Sequence, residues 1–272
     1  MRGHCGLRFD AAHSYNKGRI YDGIAPADVG PSCPALSNKH VHTGKSIDLM
    51  SAEKLSAVEL ETRLNPDATV IVLHGLGADG NDFVPIVQEL ELPEDRGIRF
   101  VFPHAPTRPV TINGGHVMRA WYDIVGVDLT NRADEAGIRS SQTIVEKFIA
   151  QEKKRGIAAS RIVLAGFSQG GVIALHTGLR HAEKLGGIVA LSTYLAMPQK
   201  LAAEVSAVNK AIPIFMAHGT ADATIRVEWA EASRKALEAE GYKVEWHTYR
   251  MQHSVSQDEI RDLGSFLRRV LG

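Results

Sequence analysis

The alternation of short apolar runs with helical patterns, from residue 56 to the end of the chain, most limits what this chain can fold into. Most runs are continuous and rich in β-branched residues, as is typical of strands buried on both faces of a parallel sheet. Such strands are predicted at residues 69–74, 98–102, 161–165, 187–191 and 212–217. Residues 58–62 and 244–249 are predicted to form strands at or near the edges of the sheet.

Between these runs, apolar residues recur with the 3.6-residue period of a helix. One stripe comprises Ile144, Val145, Phe148 and Ile149, and a later one comprises Ile260, Leu263, Leu267, Val270 and Leu271. Strands that alternate with such helices imply βαβ units. The sequence therefore predicts an α/β fold with a mostly parallel central sheet and helices on both faces. Catalytic groups in such a fold collect in the loops beyond the carboxyl ends of the strands.

The first 49 residues lack this pattern and mix glycine, proline, serine, histidine and asparagine without a sustained period. Residues 1–49 are therefore predicted to form a loop-rich or disordered N-terminal extension, and residues 50–272 the α/β domain. Met50 is interpreted as the start of the functional unit. Because the chain does not open with an apolar stretch of signal-peptide length, a cytoplasmic location is expected.

Composition excludes several classes of function. Thirty-one basic residues balance thirty-one acidic ones, so a nucleic-acid partner is not expected. No apolar run reaches the roughly 18 residues that span a bilayer, so stable membrane insertion is not expected either. Cys5 and Cys33 are the only cysteines, which excludes a disulfide-built scaffold and a cysteine-rich zinc module.

The run at 161–165 leads directly into the sequence Gly-Phe-Ser-Gln-Gly-Gly at 166–171 and then into a helical pattern. This is the G-x-S-x-G motif between the strand and the helix that it requires. A serine on so sharp a turn needs neighbours without side chains, which Gly166 and Gly170 provide. Ser168 is therefore predicted to be a nucleophile; the alternative is a glycine-rich turn with a bystander serine.

A serine nucleophile needs a histidine to take its proton and a carboxylate to orient that histidine. In this fold the chain order is serine, then the acid, then histidine. Asp222 and His253 lie in two loops that follow strands, so we predict Asp222 as the acid and His253 as the base. His218 is the alternative base, but it more readily supports the turn that presents Asp222.

The tetrahedral intermediate of such a reaction needs two N–H donors for its oxyanion. One donor is predicted to be the backbone N–H of Gln169, which follows the nucleophile. The other is predicted to be the N–H of Leu76, in the glycine-rich loop 74–80 after an early strand. A dinucleotide-binding fingerprint is the competing interpretation of this loop, but the third glycine and the partner acid are missing.

Six ordered segments, at 74–83, 103–115, 118–124, 166–171, 218–222 and 251–254, make the chain closely similar to a known family. They resemble the phospholipase/carboxylesterase family of α/β hydrolases, which includes bacterial carboxylesterases and acyl-protein thioesterases. The resemblance covers residues 51–272. It implies a serine carboxylesterase without a large lid domain, which hydrolyses short- to medium-chain acyl esters through an acyl-enzyme and needs no cofactor or metal.

The resemblance also supports Ser168, Asp222 and His253 as the triad and Leu76 and Gln169 as the oxyanion donors. It further assigns four residues to substrate binding, namely Trp121, Leu76, Gly75 and Ile225. The alternative role for Trp121 is a buried anchor of its loop. The turn 223–225 departs from the Pro- and Val-containing turn that is usual in the family. Loop 78–83 resembles the loop of the bacterial carboxylesterases more than that of the thioesterases.

Two other functions stay open at this point. An acyl-protein thioesterase or lysophospholipase would use the same residues on longer acyl chains, and a catalytically silent member would only bind ligands. The expected partner is a small-molecule acyl ester, and exposed edge strands are compatible with a homodimer.

We expect removal of residues 1–49 to leave the specific activity toward p-nitrophenyl esters within a few-fold of the full chain, because the family resemblance begins at residue 51. Initial rates at matched protein concentration test this expectation. Loss of soluble protein, or of nearly all turnover, would show that the extension completes the domain.

Overall fold

A seven-stranded sheet forms the centre of the structure, a computed structural model that describes residues 56–93, 95–126 and 134–272. The extension predicted for residues 1–49, with Cys5, Cys33 and the start proposed at Met50, lies outside the described residues. The strands in chain order are β1 (Ala57–Glu61), β2 (Ala68–Leu73), β3 (Ile98–Pro103), β4 (Thr107–Val110), β5 (His116–Arg119), β6 (Ile162–Phe167), β7 (Gly187–Leu191), β8 (Ile214–Gly219) and β9 (Val244–Tyr249).

Five α-helices lie among the described residues: α1 (Glu135–Lys154), α2 (Gln169–Arg180), α3 (Leu201–Glu204), α4 (Val227–Ala239) and α5 (Gln257–Leu271). A 3-10 helix, Val84–Leu90, follows β2. The order of strands across the sheet is β1-β3-β2-β6-β7-β8-β9. Only β1 pairs antiparallel with its neighbour; every other pair in this sheet is parallel. The predicted α/β fold with a mostly parallel sheet is confirmed.

The sheet separates two hydrophobic cores because successive side chains of a strand point to opposite faces. In β2, Ile71 and Leu73 join the core that contains α1, α2 and α4, while Val70 and Val72 join the core beneath α5 and the 3-10 helix. Each central strand is buried along its whole length, which explains the continuous apolar runs in the sequence. No helix in the described part of the chain is long and apolar enough to cross a membrane.

The β4–β5 hairpin was not predicted, and it lies outside the main sheet. Pro109 sits within β4, and a proline argues against a strand because it cannot donate to the ladder. The turn is made by Gly114 and Gly115, whose φ angles are 66° and 79°. Glycine adopts such positive φ values without steric cost, so the turn is encoded locally even though the strands are not.

A buried ion cluster ties the antiparallel edge of the sheet to α1. Arg99, on β3, is 4% exposed and contacts Glu59 and Glu61 of β1 on one side. On the other side its Nε lies 3.3 Å from the carboxylate of Glu152 on α1. Glu152 also accepts a hydrogen bond of 2.8 Å from the hydroxyl of Thr69 on β2. The guanidinium of Arg99 therefore joins β3 and β1 to α1, and Glu152 extends the cluster to β2.

We expect Arg99→Met to lower the free energy of unfolding by about 3 kcal/mol, because it leaves the buried carboxylate of Glu152 without its main cation. Urea denaturation measures the change. Arg261→Met is the matched control: it breaks an exposed pair with Asp258, for which about 1 kcal/mol or less is expected. Equal losses in the two variants would contradict a structural role for the buried cluster.

Candidate active site

Ser168 lies on a sharp turn between β6 and α2, with φ 55° and ψ −120°. The turn brings backbone segments together so closely that side chains are excluded on both sides of the serine. A Cβ on Gly166 would lie 2.3 Å from the carbonyl carbon of Gly170, and one on Gly170 would lie 2.2 Å from the carbonyl oxygen of Leu73. The glycines of the G-x-S-x-G motif are therefore required by packing, as the sequence analysis argued.

The end of β7 and the residues just after it hold the backbone of this turn. The N–H of Ser168 donates to the carbonyl of Leu191 at 2.9 Å. The hydroxyl of Thr193 donates to the carbonyl oxygen of Ser168 at 2.6 Å. A Cβ on Gly171 would lie 2.7 Å from the Thr193 side chain, so this threonine also packs closely against the start of α2. Sequence reasoning missed Thr193, which no motif marks.

His253 joins Ser168 to Asp222. Its Nε2 lies 2.9 Å from Ser168 Oγ, and its Nδ1 lies 2.7 Å from Asp222 Oδ2. Because a carboxylate oxygen only accepts, Nδ1 carries the proton and Nε2 is free to accept the serine hydroxyl proton. The Phe167 ring packs against the imidazole at a centroid distance of 4.7 Å. The structure thus brings the three residues into one hydrogen-bonded chain.

Asp222 is buried and ionised. Burial alone would raise the pKa of its carboxyl, but hydrogen bonds from His218 and His253 and from the N–H of Ile225 outweigh burial and hold the pKa well below the ordinary value. Asp222 Oδ1 accepts the N–H groups of Thr224 and Ile225 at 2.8 and 2.9 Å. The turn 223–225, although it departs from the family pattern, therefore fixes the carboxylate through its backbone.

His218, the alternative base, is fully buried on the far side of Asp222. Its Nε2 donates to the carbonyl of Ile225 at 2.7 Å and lies 3.4 Å from Asp222 Oδ2. Within the described residues it makes no hydrogen bond to Ser168. This position supports the turn around Asp222 and does not suit a base for the serine.

The glycine-rich loop after β2 lies beside the nucleophile, since a Cβ on Gly75 would be 3.5 Å from the Cβ of Ser168. Leu76 follows Gly75 and is partly exposed. Gln169 is the first residue of α2, and the first N–H groups of a helix have no intrahelical acceptor. Among the residues that the structure describes, no acceptor is assigned to the N–H of Leu76 or of Gln169. Both N–H groups lie on segments next to Ser168, and their role as oxyanion donors stays a prediction.

His74 fixes the start of this loop. Its Nδ1 donates to the carbonyl of Gly75 at 2.7 Å, and its Nε2 accepts the N–H of Ala105 at 3.0 Å. Burial lowers the pKa of His74 to about 4, so the ring is neutral at neutral pH and can keep Nε2 as an acceptor. The sequence places His74 at the start of this loop, but no motif marks its role.

Trp121 requires a correction. It was expected to line the substrate site, but the structure buries it completely, at 0% exposure. Its indole N–H donates to the carbonyl of His74 at 2.9 Å, and its backbone N–H donates to Gln169 Oε1 at 2.8 Å. Trp121 is thus an anchor for its loop and offers no surface to a ligand. Ile225 is also mostly buried, at 5% exposure, and contacts Asp222 through its backbone.

Comparison with known proteins places these features in one family. The family model of Phospholipase/Carboxylesterase matches residues 56–271. Acyl-protein thioesterase 1 of Mycosarcoma maydis is 37% identical over 237 residues, which cover 82% of this chain and 99% of that protein. Acyl-protein thioesterase 1 of Neurospora crassa is 41% identical over 213 residues, covering 75% and 87% of the two chains.

A solved structure shares the fold as well. The crystal structure of Arabidopsis thaliana SOBER1 superposes with a TM-score of 0.71 at 30% identity, over 75% of this chain and 99% of that one. Since the family model spans nearly all described residues and the relatives align over most of both chains, the chain belongs to the phospholipase/carboxylesterase family of α/β hydrolases, whose members are serine hydrolases.

Proposed function

We propose that this protein hydrolyses acyl thioesters in the manner of an acyl-protein thioesterase, with Ser168 as nucleophile, His253 as base and Asp222 as the acid that orients the base. The observation that carries the proposal is the partly buried chain of hydrogen bonds from Ser168 Oγ through His253 to Asp222, at 2.9 and 2.7 Å. A serine hydroxyl becomes a nucleophile when a neutral imidazole can take its proton.

In the first half of the reaction, Ser168 Oγ attacks the acyl carbonyl carbon while its proton moves to His253 Nε2. The carbonyl oxygen becomes an oxyanion, which the N–H groups of Leu76 and Gln169 stabilise. Asp222, held ionised, stabilises the imidazolium that forms. The tetrahedral intermediate then collapses, the carbon–sulfur bond breaks, and the departing thiolate takes the proton from His253. An acyl ester of Ser168 remains.

In the second half, His253 Nε2 takes a proton from water, and the hydroxide attacks the acyl-enzyme. The same two N–H groups receive the second oxyanion. Collapse breaks the bond between the acyl carbon and Ser168 Oγ, and His253 returns its proton to that oxygen. The products are a carboxylic acid and a thiol, and the enzyme regains its starting state.

The thioester preference rests on the relatives, because both curated relatives compared above are named acyl-protein thioesterases. This ranking differs from the sequence analysis, which put a short- to medium-chain carboxylesterase first. That function stays the second candidate because loop 78–83 looks like the loop of bacterial carboxylesterases. The cytoplasmic location and the homodimer stay predictions from the sequence.

We expect the protein to hydrolyse an S-palmitoylated cysteine peptide faster than the O-palmitoylated serine peptide of the same sequence. Ser168→Ala should reduce both rates by about 10⁴-fold or more, because no other group supplies the nucleophile. Ser265→Ala is the matched control and should keep full activity, because this half-buried serine on α5 bonds to Arg261 and Arg268 and to none of the proposed catalytic residues. Release of palmitate measures the rates.

A series of p-nitrophenyl esters from acetate to palmitate separates the two candidates. Highest kcat/KM on short chains, together with no turnover of the palmitoylated peptide, would favour the carboxylesterase. Hydrolysis that survives in Ser168→Ala would contradict the proposed nucleophile, and the absence of turnover on every ester and thioester would contradict the proposed function.

The low pKa of Asp222 also predicts a pH dependence. A carboxyl whose pKa lies well below the ordinary value stays ionised from about pH 7 to pH 4.5, so Asp222 adds no protonation step in that range. We therefore expect the slope of log(kcat/KM) against pH to stay at one or below over this range. A slope of two over this range would show that Asp222 titrates there.

A further inference from the structure

The side chain of Gln169 holds the backbone of two consecutive residues, Trp121 and Tyr122, in the loop that follows β5. Its Oε1 accepts the backbone N–H of Trp121 at 2.8 Å, and its Nε2 donates to the backbone carbonyl of Tyr122 at 2.7 Å. Gln169 is only 2% exposed, and its amide uses both ends for these contacts. A glutamine so placed fixes the position of Trp121 relative to the start of α2.

Trp121 in turn contacts His74, in the loop after β2 that lies beside Ser168. Its indole N–H donates to the backbone carbonyl of His74 at 2.9 Å, and the centroids of the indole and the His74 imidazole lie 5.4 Å apart. The hydroxyl of Ser141, on α1, donates to the backbone carbonyl of Trp121 and so also fixes this residue. His74 is in turn two residues before Leu76, and its ring is bonded to Gly75 and Ala105.

These contacts connect the two backbone donors on which the proposed function rests. Leu76 lies on the loop after β2, whereas Gln169 lies at the start of α2, so no single local element fixes the distance between their N–H groups. An oxyanion hole is effective when its donors are already placed at about 2.7–3.1 Å from the oxyanion before the reaction. The pairing of β2 with β6 ends at Leu73 and Gly166, three residues before each donor, so contacts beyond the sheet must hold the two N–H groups.

We propose that the side chains of Gln169 and Trp121 form this contact and so set the geometry of the oxyanion hole. Gln169 then has two roles: its backbone N–H is one donor, and its side chain holds Trp121, which holds the carbonyl of His74 beside the other donor. Gln169 through its side chain, and Trp121, are positioning residues, and neither side chain touches the substrate.

Burial strengthens the argument for a positioning role. The indole N–H of Trp121, its backbone N–H and both amide groups of Gln169 are paired, in a region that water does not reach. Buried polar groups that lose a partner carry the full cost of desolvation, so a loop held by several such bonds has little freedom to shift. This rigidity is what a preorganised pair of donors requires.

Trp121→Phe tests the inference because it keeps an aromatic ring and removes the indole N–H. We expect kcat for the palmitoyl thioester to fall roughly tenfold, with KM within about twofold of the wild type, since the loss falls on the transition state. An alkyl boronic acid supplies the second measurement. It forms a tetrahedral adduct with Ser168 Oγ in which one boron-bound oxygen occupies the oxyanion position, so its affinity should fall by a factor similar to that in kcat.

Gln169→Met is the second variant, because it preserves the backbone N–H and the side-chain length but releases Trp121 and Tyr122. We expect the same pattern in kcat, KM and boronic acid affinity. Tyr194→Phe is the matched control. It removes a buried hydrogen bond of 3.0 Å between the hydroxyls of Tyr194 and Tyr122, and Tyr122 lies in the same loop as Trp121. The hydrogen bonds that link Gln169 to Trp121 and Trp121 to His74 stay in place. This variant should leave kcat and boronic acid affinity unchanged, whatever it does to thermal stability.

The outcomes separate this inference from the proposed function. If wild-type activity disappears in Ser168→Ala but either folded variant, Trp121→Phe or Gln169→Met, keeps kcat and boronic acid affinity within twofold, the proposed function stands and the positioning role is wrong. A fall in kcat without a loss of boronic acid affinity, or an equal fall in Tyr194→Phe, would also overturn it. If the wild type hydrolyses no ester or thioester, the proposed function itself fails.

Discussion

The rest of the site depends on the strained backbone of Ser168. A residue with a side chain adopts φ 55° and ψ −120° only at a cost of about 1–3 kcal/mol, which surrounding contacts must offset. Here β6 is buried on both faces before the turn, α2 packs against the sheet after it, and Leu191 and Thr193 bond to the serine backbone itself. The fold thus holds the hydroxyl clear of its own backbone, where His253 can reach it.

The order of strands brings together loops that are distant in the sequence. The loops after β2, β6, β8 and β9 all leave the sheet at its carboxyl edge, and β2 and β6 are direct neighbours, as are β8 and β9. One pair carries Ser168, Gln169 and Leu76, and the other carries Asp222 and His253. Since the strands are parallel, this edge collects the chemistry without any long insertion.

Buried polar groups link these loops, and each bond fixes a protonation state or a position. Asp222 stays ionised because it accepts several hydrogen bonds, and His74 stays neutral because burial disfavours its charged form. Neither role is visible from residue type, since histidine and aspartate occur throughout the chain. The environment decides which of them carries a charge, and the environment is a product of the fold.

The sequence by itself determined the elements whose signals are local. Continuous apolar runs marked the central strands, down to the bounds of β7, and the bounds of the edge strand β9 were also predicted. The glycines around Ser168 marked the turn because their spacing is itself the steric requirement. Only the tertiary structure decided that Trp121 is an anchor, that Gln169 and Thr193 hold neighbouring loops, and that the β4–β5 hairpin forms despite Pro109. These features depend on hydrogen bonds between residues far apart in the chain, such as Trp121 and His74. The geometry of such contacts is set by how the elements pack, so it leaves no periodic pattern in the sequence.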